Sequence, residues 1–201
     1  MTPAVYRVFE SICAAAPITG AVLEVGAVPG PDSLLKMPCL RNAAQRVGIN
    51  LDKAWADDDS KIVQGNANHM DCFADGQFDA VLCNATLEHD PYFWKTITEI
   101  HRVSASGALI VIGVPGFAGM GPGTFVESKS MWRWMLAAFA KVTKNDVLQA
   151  GTVTLGEHLF PGDYYRFSEQ AVRDIFLGGL HDVSTAKVMN PPRIIGWGRK
   201  A

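Results

Sequence analysis

The chain lacks the features that assign many proteins at a glance. It has no uninterrupted apolar run approaching the ~18 residues of a membrane helix. Met1 to Glu10 carries Arg7 and Glu10 where a signal peptide needs an apolar core. Neither sign of charge is in excess. The 18 Lys and Arg face 20 Asp and Glu, so the clustered basic surface that nucleic acid requires is not expected. Cys13, Cys39, Cys72 and Cys83 show no paired spacing, and His69, His89, His101, His158 and His181 offer no zinc-ligand spacing. These absences predict a cytoplasmic protein with reduced, mostly buried thiols, no metal, no integral membrane segment and no nucleic-acid partner. Asp57-Asp58-Asp59 is expected to be a solvated run, since spacing places no further metal ligands near it. No segment repeats and none is low in complexity.

What is present is a globular composition: 48% of the 201 residues are hydrophobic and 19% charged, enough for one domain with a full core. An amphipathic helix is predicted over 3–16, with Val5, Val8, Phe9 and Ile12 on one face. Short strands are predicted at Ala21–Val25, Val47–Leu51, Lys61–Gln64, Phe78–Cys83 and Ala108–Val114, the last wholly apolar. A helix capped at Asp32 or Ser33, regular from Met37 to about Val47, is expected between the first two. Another is expected behind Asp90-Pro91, carrying Phe93, Trp94, Ile97, Ile100 and Val103. Such alternation specifies a parallel sheet covered on both faces.

Residues 115–162 break this rhythm. They are rich in Gly and Pro and hold one amphipathic helix, Ser128–Val142, with Trp132, Met135, Leu136 and Phe139 on its stripe and Trp134 beside it. Long insertions of this kind are often lids. A helix over Phe167–Gly178 and strands at Val183–Met189 and Arg193–Gly198 complete the chain. Asn190-Pro191-Pro192 reads as a turn between the last two strands.

The most informative stretch is Glu24-Val25-Gly26-Ala27-Val28-Pro29-Gly30. A buried strand ends in a turn whose glycines allow close backbone approach to a ligand. Loops that bind pyrophosphate aim N–H groups at it, and a carboxylate there would repel the ligand. Glu24 therefore points to a nucleoside cofactor with a cationic end.

This turn resembles the first motif of the class I S-adenosylmethionine-dependent methyltransferases, especially the small-molecule group of that superfamily. Gly76-Gln77-Phe78-Asp79-Ala80-Val81-Leu82-Cys83-Asn84-Ala85-Thr86-Leu87-Glu88-His89 is similar to the family's fourth-strand region. Ile97-Thr98-Glu99-Ile100-His101-Arg102-Val103, followed by Gly107, resembles its next helix. The resemblance implies a Rossmann-like α/β fold: a seven-stranded, mostly parallel, doubly wound sheet in a single domain, with 115–162 as a lid after strand five.

It also implies roles. Glu24, Gly26, Ala27, Val28 and Gly30 would hold the methionine end of S-adenosyl-L-methionine. Asn50, Leu51 and Asp52 would meet the ribose, Asn66 and Ala67 the adenine, and Asn84 and Ala85 would lie beneath the methyl group. Val28 stands where the family has a glycine, and Asn50 and Asn66 where it usually has acids. A non-catalytic binding or scaffold protein on this fold is the alternative, and a nicotinamide oxidoreductase a more distant one. For the acceptor, a small polar molecule methylated at oxygen or nitrogen, such as a sugar or secondary metabolite, the sequence offers Trp134, His158, Tyr164, Tyr165 and Arg166. His158 and His89 are the candidate bases. Tyr164, Tyr165 and Phe167 can equally pin the lid, with Arg166 paired to Asp163 or Glu169, and Trp134 can equally meet a second subunit in a homodimer.

Overall fold

The computed structural model describes residues 1–31, 33–52, 54–57, 60–119, 142, 152–157 and 162–201. Helix α1 (Pro3–Ala15) begins with proline, whose missing N–H costs nothing in the first turn, and buries Val5, Phe9 and Cys13. The chain then builds β1 (Ala21–Val25), β2 (Gln45–Asn50), β3 (Trp55–Ala56), β4 (Lys61–Gln64) and β5 (Phe78–Asn84). Helix α2 (Phe93–Val103) leads into β6 (Ser104–Pro115), and β9 (His181–Val188) and β10 (Arg193–Arg199) close the fold. A separate hairpin, β7 (Phe117–Gly119) on β8 (Thr152–Thr154), joins the two ends of the 115–162 insertion.

The central sheet has the order β3-β4-β2-β1-β5-β6-β10-β9. Strands β4, β2, β1, β5 and β6 run parallel, while β10 is antiparallel to both neighbours and β3 is antiparallel to β4. The sheet has eight strands instead of seven because the two-residue β3 adds an edge. Side chains alternate across it. Val22, Ala80, Leu82 and Val111 pack towards α1, while Leu23, Val81, Cys83 and Ile110 pack towards α2 and Phe176. Both faces are therefore covered, which is why the strands read as continuous apolar runs.

Two helices expected from the sequence take other forms. Between β1 and β2 lie only two 3₁₀ turns, Leu34–Lys36 and Pro38–Leu40. Met37 precedes Pro38 and is pushed to φ −57°, ψ 131°, which breaks the helix at its expected start, so β2 begins two residues early at Gln45. Ser33 caps the first turn by accepting from Leu35 N at 3.3 Å, and Asp32 lies outside the described residues. The helix expected over Phe167–Gly178 is a short π-helical segment, Ala171–Phe176, with Leu177 N bonded to Val172 O at 3.1 Å. The Ser128–Val142 helix, with Trp134, lies outside the described residues except for Val142; so do His158, Asp58 and Asp59.

Of the four thiols, Cys13 and Cys83 are buried, Cys39 is half-buried and Cys72 is exposed. Burial pushes the Cys13 thiol up to about 12.

Candidate functional site

Strand β1 ends where the order of the sheet reverses, with β2 on one side and β5 on the other. Open sheets place their ligands in the crevice at such a point. A cleft of about 560 Å³ opens there, within the range of small-ligand sites. Four strand ends wall it: Gly26 and Val28 after β1, Ile49 to Asp52 at the end of β2, Gly65 to Asn68 after β4, and Ala85, Thr86 and His89 to Tyr92 after β5.

The turn after β1 is folded over the end of β2. Gly26 and Ala27 donate to Ile49 O at 2.9 and 3.1 Å. Gly26 has φ 77°, and a Cβ there would meet Thr86 Oγ1 at 2.0 Å. The Thr86 hydroxyl lies 3.2 Å from both Val25 O and Asn84 O, which fixes it against the glycine. Ala27 is fully buried, with its methyl where a Cβ on Gly48 would collide at 2.4 Å. Val28 is not among the residues with positive φ, so its β-branch is accommodated without strain, and the side chain stands 59% exposed at the cleft rim. Ala85, at the opposite wall, does hold a left-handed conformation with φ 54°.

The amides of the cleft are engaged. Asn50 Nδ2 donates to Ala27 O at 2.7 Å, and its Oδ1 accepts from Asp52 N at 2.9 Å. Asn66 Oδ1 accepts from Asn68 N at 2.9 Å. The Asp90 carboxylate accepts from Tyr92 N (2.8 Å), Asn68 Nδ2 (2.6 Å) and Thr96 Oγ1 (2.7 Å). Among the described residues, Asp52 and Asp90 are the carboxylates of the lining, and no lysine or arginine contributes to it. Among the described residues no three His, Cys, Asp or Glu side chains converge as metal ligands.

Thus Gly26, Val28, Asn50, Leu51, Asp52, Asn66, Ala67, Ala85 and His89 line one cleft. Glu24 requires a correction. Alternation along β1 turns it to the α1 face with Val22, and its Oε2 accepts from Ser33 Oγ at 2.7 Å and from Leu35 N at 3.3 Å. Burial raises its pKa, opposed by the Ser33, Leu34 and Leu35 donors. Its carboxyl holds the following turn and does not line the cleft. Gly30, with φ 142°, lies beyond the lining. Asn84 also faces α1, with Oδ1 over Gly113 beside the Phe9 ring. That oxygen is buried and has no hydrogen-bond partner among the described residues.

The acceptor candidates divide similarly. Tyr165 donates its hydroxyl to Pro91 O at 3.0 Å, and its ring packs 5.0 Å from Phe93. Arg166 is spent internally, on both oxygens of Asp163 and on the carbonyls of Leu155, Gly156 and Tyr165. Both pin the end of the insertion, as does the bond from Tyr164 N to Glu88 O at 2.8 Å. Of the described candidates, only Tyr164 is exposed. Sequence reasoning missed Thr86, Asn68, Asp90 and Tyr92. The adjacency of Asp90-Pro91 to the fourth-strand motif was the available signal for the last two.

A family model described as a methyltransferase domain matches residues 23–112, a little under half of the chain. Those residues include the last three of β1, the turn after it, β2 to β5 and α2, the elements that wall the cleft. Residues 23–112 are similar to a methyltransferase domain. No curated protein matches the sequence significantly. Among solved structures, the chain is similar to Haemonchus contortus phosphoethanolamine N-methyltransferase 2 in complex with phosphomonomethylethanolamine and S-adenosylhomocysteine. The TM-score is 0.63 at 12% identity, over 98% of this chain and 52% of that one. This chain therefore spans about half the length of that methyltransferase. Burkholderia thailandensis 1,6-didemethyltoxoflavin-N1-methyltransferase gives 0.61 at 15% identity, over 98% and 79%. An S-adenosylmethionine-dependent methyltransferase from Aquifex aeolicus gives 0.56 at 13%, over 97% and 88%. At these identities the likeness is one of fold.

Proposed function

We propose that the protein is an S-adenosylmethionine-dependent methyltransferase acting on oxygen or nitrogen of a small polar acceptor. The observation that carries the reading is the cleft at the switch point, lined by residues that match a methyltransferase domain and bearing, among the described residues, carboxylates without basic side chains. That charge suits a cofactor with a sulfonium and an ammonium, and it opposes a pyrophosphate. Asn66 and Ala67 form the wall for the adenine.

Bound S-adenosylmethionine supplies an electrophilic methyl group on its sulfonium. The chain's task is then alignment and exclusion of water. The Thr86-backed Gly26 turn brings main chain to the cleft, and the Asp90–Asn68–Thr96 network fixes the opposite wall. Of the two candidate bases, His89 lines the cleft and serves an acceptor that must lose a proton. The insertion 115–162 acts as the lid that completes the acceptor pocket, with Tyr164 at its exit. The Haemonchus and Burkholderia proteins are both N-methyltransferases of small molecules, which supports a small acceptor.

Calorimetric titration with S-adenosylhomocysteine and with NADH tests the reading. Tight binding of the first alone is expected. Silence with both would return the non-catalytic binding protein on this fold, and binding of NADH alone would overturn the methyltransferase.

A further inference from the structure

We infer that the ribose hydroxyls of the cofactor are held by Asp52, and that Asn50 has a different task, clamping the glycine turn; this rests on the methyltransferase reading above. Asn50 stands where the resemblance places a ribose-binding acid, yet both ends of its amide are occupied. Nδ2 donates to Ala27 O at 2.7 Å, across the gap between the β1 turn and β2, and Oδ1 accepts from Asp52 N at 2.9 Å. An aspartate at position 50 has no proton to donate at neutral pH. It would set a carboxylate against the Ala27 carbonyl in a half-buried position.

Asp52 has the opposite profile. It lines the cleft, it is exposed, and its carboxylate accepts no hydrogen bond from any described residue. Its main chain is fixed from two sides: N–H by Asn50 Oδ1, and C=O by Gln64 Nε2 at 3.1 Å. A carboxylate on a fixed backbone can accept from two neighbouring hydroxyls with little ordering cost. Asp90, the other acid of the lining, already accepts three hydrogen bonds. The negative charge of the ribose site has moved two residues along the chain, and the vacated position has become a clamp.

The consequence is counter-intuitive. Asn50→Asp, which restores the acid usual in the family, weakens cofactor binding. Asp52→Asn weakens it through the ribose alone. The experiment is calorimetric titration of the full chain and both variants with S-adenosylhomocysteine and its 2′,3′-dideoxy analogue, with circular dichroism to confirm folding. Losing charge-assisted hydrogen bonds from a diol predicts a Kd for Asp52→Asn raised roughly 10- to 100-fold for the parent ligand and unchanged for the dideoxy analogue. Asn50→Asp should raise Kd for both ligands, because the turn loosens. Wild-type affinity retained by Asp52→Asn overturns the ribose assignment. Equal or tighter binding by Asn50→Asp overturns the clamp. If the unmodified chain binds neither ligand, the methyltransferase reading itself fails and the inference falls with it, an outcome distinct from the other two.

Discussion

Gly26 is the position where a single methyl group should do most damage. Two costs combine in Gly26→Ala. A left-handed backbone, here φ 77°, costs a residue with a Cβ about 1–2 kcal/mol. The new Cβ would also lie 2.0 Å from Thr86 Oγ1 and 2.8 Å from Thr86 Cγ2. Thr86 cannot simply rotate away, because its hydroxyl bonds Val25 O and Asn84 O. Overpacking of this kind costs about 1–3 kcal/mol. The total, about 2–5 kcal/mol, corresponds to a fall in Tm of roughly 10 °C for a domain of this size. The assay is thermal unfolding of four proteins: wild type, Gly26→Ala, Thr86→Ala and the double variant. In the Thr86→Ala background the two closest contacts are gone and only the Cβ of residue 86, 2.9 Å away, still presses, so the penalty of Gly26→Ala should fall towards the about 1–2 kcal/mol of the backbone strain. A Gly26→Ala protein that melts with the wild type would refute the reasoning. So would a penalty undiminished by Thr86→Ala, since the cost would then lie elsewhere.

Three further outcomes follow from the same geometry. Glu24 has a folded-state pKa above its ordinary value because burial disfavours its charge. The stability it contributes is therefore complete below the unfolded pKa, about 4.3, and lost as pH rises through the raised folded value. Glu24→Gln keeps an oxygen for Ser33 and Leu35, so it should remove that loss and unfold at higher denaturant than wild type at pH 7; an unchanged midpoint would contradict it. Arg102 binds Glu99, Asp75 and the carbonyls of Met70 and Phe73, so Arg102→Ala should cost about 2–4 kcal/mol in urea denaturation. Because Arg102 holds Glu99 below the usual carboxylate range, that stabilisation is present above the unfolded pKa and fades as pH falls through the lowered one, and the variant's deficit should shrink in acid. Ala85→Gly relieves a left-handed residue and should raise stability by about 1 kcal/mol, less the entropy of glycine; a lower Tm would show that the alanine methyl packs productively.

The parallel sheet was legible because strands buried on both faces cannot hide their apolar runs. β1, β4 and β5 lie where the sequence places them, apart from one residue at the end of β5. The region between β1 and β2 misled for a local reason. Leu34, Leu35 and Leu40 have the apolar content of a helix, and only the conformational effect of Pro38 on Met37 divides them into two turns. The cleft lining was legible through a resemblance that names positions at strand ends. Partners distant in sequence were not. Nothing in the turn after β1 announces that Thr86, 60 residues later, fills the space above Gly26. Nor does Tyr164-Tyr165-Arg166 reveal by itself that its cation is consumed by Asp163 three residues before.

The asparagines at positions 50 and 66 bear on whether the cofactor site is working or in decay. An acid lost by decay leaves an amide with no particular use, its donor and acceptor facing solvent or orphaned. Asn50 is the reverse case, since its two bonds, one given and one received, are a combination that an ionised aspartate cannot make. It joins the end of β2 to the turn after β1, and so ties together the walls on either side of the cleft. Meanwhile Asp52 keeps a carboxylate in the lining, two residues from where the family usually has one. The charge that first directed attention to Glu24 is therefore found elsewhere. Strand alternation buries Glu24 against Ser33, and the negative face offered to a cationic ligand is that of Asp52 and Asp90. At position 50 the departure from the family pattern thus carries a structural use of its own, and a carboxylate remains in the lining two residues on.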